Sequence, residues 1–114
     1  MTKIVRYKIK KKKLLKVKKA LADFIEEIKK NETGIVHYEI FQEKSNSAVF
    51  VHIMTFKDRK AEKTHAKSVH VQKLIKILYP ACKEEPEFTE LKLVKSIKSL
   101  ENKSTSITEE TREP

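Results

Sequence analysis

Apolar residues recur at two periods along this chain, and the switches between them mark its elements. In residues 3–10, Val5, Tyr7 and Ile9 share one face while Ile4, Arg6 and Lys8 share the other, the two-residue period of a strand. In residues 12–30 the period lengthens. Leu14, Val17, Leu21, Ile25 and Ile28, widened by Phe24, form the stripe of an amphipathic helix. Lys16, Lys19, Asp23, Glu26 and Lys30 take its outer side, and Lys29 and Lys30 suit the negative end of the helix dipole. Asn31-Glu32-Thr33-Gly34 stops the helix. Gly34 is the only glycine, and glycine alone adopts positive φ freely, so a left-handed stop is expected there.

Alternation returns in residues 35–42 and 48–56, joined by the polar Glu43-Lys44-Ser45-Asn46-Ser47, which predicts an antiparallel hairpin with a five-residue loop. Symmetric closure would set Tyr38 opposite His52, Ile40 opposite Phe50 and Val36 opposite Met54. One face would then hold Val36, Tyr38, Ile40, Phe50, His52, Met54 and Phe56. The other would hold Ile35, His37, Phe41, Val49, Val51 and Ile53. Asp58 and Ser68 are candidate caps for a short polar helix over 59–66 and an apolar one after it, with a break near Lys67-Ser68 and a stop at Tyr79-Pro80. Residues 88–94 alternate again.

The order β-α-β-β-α-β predicts an α+β, ferredoxin-like fold: a four-stranded antiparallel sheet with the helices on one face. The second sheet face is also largely apolar. A monomer would expose it, so a homodimer packed through the open sheet face is expected. The expected domain spans residues 1–95, and the Ser-, Thr- and Glu-rich residues 96–114 read as a flexible polar tail.

Charge changes the picture locally. Residues 1–31 carry twelve basic and three acidic side chains, so most of the formal +10 sits at the N-terminal end. Such a field could draw nucleic acid, an anionic membrane surface or an anionic ligand, or simply solvate a helix face. No apolar run approaches the roughly 20 residues of a membrane span. The opening residues lack a signal core, and Cys82 is alone, so a reducing cytoplasm is the expected address.

Residues 34–70, which hold the only glycine and all four histidines, carry a family resemblance. Gly34 precedes the second strand, with the aromatic Tyr38 on it. The third strand begins Phe50-Val51 and ends Phe56-Lys57-Asp58. Ala61 and His65 stand four apart, and Ser68-Val69-His70 follow. With the element order, this resembles the antibiotic-biosynthesis-monooxygenase (ABM) superfamily, whose members form dimeric α+β barrels. The resemblance covers about residues 2–95. It departs from the family at Thr33-Gly34, often Pro-Gly, at Met54, often Glu, and at Phe56, often Trp. His65 stands where the haem-degrading branch has Trp, so haem degradation is not expected.

The resemblance implies that the His65 position faces a ligand pocket, and His65 is the catalytic candidate; an imidazole with pKa near 6.5 exchanges protons at neutral pH. Its plainer role would be a hydrogen bond between helix and strand. Tyr38 and His52 could orient a phenol or quinone, with Phe50, Met54 and Phe56 as apolar walls. The same residues also suit an ordinary half-buried core. His70 is placed at the pocket mouth or simply in the first turn of its helix. No metal is expected. His65 and His70, five apart, face different ways on a continuous helix; a break at Ser68 could reunite them, but no carboxylate is spaced to complete a set. With one glycine there is no phosphate loop. No cofactor is expected, because the resemblance implies oxygenases in which a deprotonated, electron-rich substrate itself reacts with oxygen.

Three functions follow. The first is a cofactor-independent monooxygenase acting on a small aromatic or quinone-like molecule. The second is a non-catalytic dimeric barrel that binds a small molecule or serves in stress. The least favoured is an RNA-binding module, because the Gly and basic residue that should open its third-strand motif are missing.

Overall fold

The computed structural model of the chain describes residues 1–97. The first alternating segment forms β1 (Thr2–Lys8). The helical stripe forms α1 (Leu14–Asn31) after a 3-10 turn at Lys11–Lys13. The hairpin is β2 (Ile35–Glu43) and β3 (Asn46–Phe56), and α2 (Arg59–Ala66), α3 (Val69–Ala81) and β4 (Glu87–Leu91) follow. All pairings are antiparallel, in the order β2-β3-β1-β4. This is the ferredoxin-like α+β fold. The tail expected over 96–114 lies almost wholly outside the described residues.

The helices cover one face of the sheet. Val5, Tyr7, Phe50, Met54 and Phe56 from the strands meet Val17, Leu21, Phe24 and Ile28 of α1 and Leu74 and Leu78 of α3 in one core. Each such side chain contributes roughly 1.5–3 kcal/mol by leaving water. Both caps form as expected: the Asp58 side chain accepts from the Ala61 N–H and the Ser68 side chain accepts from the Val71 N–H. The helical region therefore breaks at Lys67-Ser68.

Several details differ from expectation. The hairpin link is tight, with only Lys44-Ser45 between the strands. The register is displaced by two: Tyr38 pairs with Met54, Ile40 with His52 and Gln42 with Phe50. A shift of two preserves the faces, because side chains alternate with period two. The exception is a bulge between Ile35 and His37, which turns Ile35 to the core and leaves Val36 exposed. Pro80 does not stop α3 but sits in its last turn. There Lys10 ties the helix end down, its backbone N–H donating to the Ala81 carbonyl and its ammonium to that of Pro80. β4 ends at Leu91 rather than 94 and is an exposed edge strand.

Gly34 serves a different purpose from the one expected. Its backbone is not in the left-handed region; a Cβ there would meet the Cβ of Ala61 at 2.5 Å. The glycine lets the start of β2 and helix α2 touch, and the Lys57 N–H donates to its carbonyl at 2.9 Å. That contact holds α2, and with it His65, against the end of α1.

Candidate functional site

Three elements bring Glu32, His65 and His70 together. Glu32 is the C-cap residue of α1, His65 lies near the end of α2, and His70 is in the first turn of α3. The break at Ser68 turns the chain between the two histidines. The Ser68 hydroxyl donates to the His65 carbonyl at 2.7 Å and accepts from the Val71 N–H at 3.3 Å. His65 Nδ1 lies 2.8 Å from Glu32 Oε2, and His70 Nε2 bonds the same oxygen. The Glu32 side chain is only 6% exposed and each imidazole 9%. Burial pushes the His65 pKa below its ordinary value, while the hydrogen bond and charge of Glu32 oppose that shift. When Glu32 is ionised it accepts from His65 Nδ1–H, which leaves Nε2 as the basic nitrogen.

His65 also forms part of the wall of a cavity of about 240 Å³ between the sheet and the helices. Met54, Phe56, Leu74 and Leu78 make that wall mostly apolar. Tyr38 and His52 contribute polar groups from the sheet, and the Lys3–Glu62 ion pair, at 3.1 Å, adds a charged edge.

His52 anchors a second arrangement. Its Nε2 lies 2.6 Å from the Tyr7 hydroxyl and its Nδ1 lies 2.8 Å from the Tyr38 hydroxyl. His52 is 2% exposed, and burial, aided by His65, lowers its pKa to about 4. The ring is therefore neutral at pH 7, with one nitrogen donating and the other accepting. Burial raises both phenols well above the ordinary tyrosine value, with Glu32 adding to the shift at Tyr38. Tyr38 thus meets the cavity as a neutral phenol in a fixed orientation.

Five of the expected site residues line the cavity together: Tyr38, His52, Met54, Phe56 and His65. Phe50 does not. It is 2% exposed and stacks on Tyr7, with ring centroids 5.6 Å apart, as part of the core. His70 does not line the cavity either; it binds Glu32 and faces a separate cleft along α1. The expectation that no carboxylate completes the histidine pair is overturned by Glu32. In sequence an acid at a helix end reads as solvated, which hides Glu32. The one available signal was its position two residues before the sole glycine. Tyr7 reads in sequence only as a strand-face residue, because its bond to His52 depends on the pairing of β1 with β3.

A family model described as antibiotic biosynthesis monooxygenase matches residues 1–77. No curated protein matches the sequence. Among solved structures, a crystal structure of an antibiotic biosynthesis monooxygenase superposes with a TM-score of 0.76 at 20% identity, covering 83% of this chain and 100% of that one. A conserved protein from Methanosarcina mazei Go1 gives 0.71 at 22% identity, covering 77% and 87%. Rv0793 from Mycobacterium tuberculosis gives 0.76 at 16% identity, covering 84% and 96%. At these identities the likeness is one of fold.

Proposed function

The chain belongs to the antibiotic biosynthesis monooxygenase family, and on that premise we propose that it is a cofactor-independent monooxygenase acting on a small aromatic or quinone-like molecule. One observation carries the reading: a buried imidazole, held at Nδ1 by a buried carboxylate, forms part of the wall of an apolar cavity. That is a base oriented by an acid, the arrangement that readies a nitrogen to take a proton. Glu32 replaces the carboxylate that Met54 lacks.

The residues divide the work. His65 Nε2 takes the proton of a phenol, hydroquinone or activated methylene. The Tyr38 hydroxyl, fixed by neutral His52, positions the substrate oxygen. Met54, Phe56, Leu74 and Leu78 exclude water from the electron-rich anion. The substrate supplies all four electrons that dioxygen needs: the carbanion pair forms the C–O bond of a peroxide, and the pair of the remaining C–H bond makes the carbonyl as the O–O bond breaks. One oxygen atom enters the substrate and the other leaves as water, so a methylene becomes a carbonyl without an outside reductant. A cavity of about 240 Å³ falls below the usual range for drug-sized ligands, about 300–1,000 Å³, which favours a substrate of one or two rings.

We also infer a homodimer through the open sheet face. Val36, Phe41 and Leu91 are exposed there, with Val51 and Ile53 half-buried among them, an apolar surface that a second sheet would cover. Among the described residues no helix is long and apolar enough to cross a membrane. The lone Cys82 thiol supports a cytoplasmic address. The RNA-binding alternative loses support because Phe50, which would have to stack on bases from the open face, is buried under the helices.

Oxygen uptake with a panel of one- and two-ring hydroquinones tests the reaction. Turnover is expected, with a loss of at least about a hundredfold in His65→Ala. If no member of the panel consumes oxygen and none changes the intrinsic tyrosine fluorescence on binding, the reading fails.

A further inference from the structure

We propose that Glu32, His65 and His70 form a binding site for a divalent first-row transition ion of the zinc type. Glu32 Oε2, His65 Nδ1 and His70 Nε2 all lie within 4.8 Å of one another, the only such group among the described residues. An ion bound at about 2.0–2.2 Å from each atom sits naturally at the centre of such a group. Two imidazole nitrogens and one carboxylate oxygen suit zinc, iron(II), cobalt(II) or nickel(II) rather than calcium or magnesium, which prefer all-oxygen shells. Three protein ligands leave further coordination positions open.

Charge supports the assignment independently of spacing. The Glu32 carboxylate is only 6% exposed, and its two side-chain partners among the described residues are imidazoles that are neutral unless protonated, so a bound cation would offset the cost of burying its charge. A divalent ion satisfies the carboxylate and both rings at once. The surroundings are also built for it. Phe24 packs against both rings, with centroids 5.9 and 6.0 Å away, and the Ser68 hydroxyl fixes the backbone between them. His70 opens to the cleft along α1, which Asp23, Glu26 and Glu27 line together with Lys30 and Lys73 and which gives an ion a path to the triad.

Binding at Nδ1 requires the other tautomer, so the neutral ring's single proton moves from Nδ1 to Nε2. The free triad therefore offers the cavity an acceptor and the loaded triad a donor. The site shares residues with the proposed base, but binding is measured without turnover.

The full chain, stripped with a chelator, is titrated with zinc ion by calorimetry. One equivalent per chain is expected, weakened at least tenfold by Glu32→Gln and by His70→Ala. His37→Ala should leave binding unchanged, since His37 is exposed on the hairpin away from the triad. X-ray absorption at the zinc edge of the loaded wild type should show two imidazoles, a result that does not require any variant to fold. No stoichiometric uptake by the folded wild type, uptake indifferent to both triad substitutions, or a shell without two imidazoles overturns the site. Oxygen uptake that depends on His65 in a protein that binds no zinc would leave the base standing and remove the metal.

Discussion

His52 and His65 are both buried and both contribute to the same cavity wall, yet their surroundings differ in kind. His52 sits in the middle of the sheet between two phenols and, among the described residues, hydrogen-bonds no acid. His65 sits at a junction of three helical elements and bonds a carboxylate. Burial lowers the pKa of both, but only His65 has a partner that opposes it. The sheet region thus holds a neutral, fixed hydrogen-bonding unit, and the junction holds one able to gain or lose a charge. Burial fixes both histidines; in the proposed reaction it is the chemistry of its partner that makes His65, and not His52, the base.

The largest effect that would sharpen this contrast is on stability. His52→Ala leaves a cavity and two buried hydroxyls without their partner and is expected to cost about 3–4 kcal/mol in urea unfolding. His65→Ala should cost about 2 kcal/mol or less, because Glu32 keeps His70, while abolishing turnover. Equal costs would erase the distinction.

Acid comes next. The folded pKa of His52, about 4, lies below its unfolded value near 6.5, so between these pH values the unfolded chain binds a proton that the folded chain refuses. Its contribution is intact above about pH 6.5 and declines as pH falls toward 4, by roughly 3 kcal/mol in full. Unfolding at pH 7.5 and 4.5 should show a smaller difference for His52→Gln than for the wild type. An identical difference would mean that His52 is protonated in the folded state.

Gly34→Ala tests how the junction is assembled. A methyl placed 2.5 Å from the Ala61 Cβ must push α2 away, at a cost of about 1–3 kcal/mol. Gly34→Ala combined with Ala61→Gly should recover most of that stability. No recovery would show that the glycine acts through its backbone instead. The smallest effect is expected from Tyr38→Phe, about 1 kcal/mol for one lost hydrogen bond to His52, with a rise in KM that a purely structural role would not produce.

The element order, both helix caps and the break between α2 and α3 were legible in the sequence because each is encoded locally. Alternation, the 3.6-residue period and a capping side chain three residues from its target do not depend on distant contacts. Tyr38, His52, Met54 and Phe56 could be assigned to one face for the same reason: a register error of two does not change faces. Phe50 shows the limit, since facing the helices is not the same as reaching the cavity. The bulge at Ile35–His37 left no sequence signal that alternation alone could detect.

The sequence by itself determined the fold and nominated His65, because hydrophobic periodicity and chain order restrict a short chain to few arrangements. Only the tertiary structure decided what His65 is bonded to. Glu32 and His65 are separated by 33 positions, and Tyr7 and His52 by 45. An acid at a helix end looks solvated in sequence, but here it is enclosed because Gly34 allows α2 to pack directly against the chain that follows it. Long-range closure, not residue type, turned an ordinary surface carboxylate into the buried partner of two histidines.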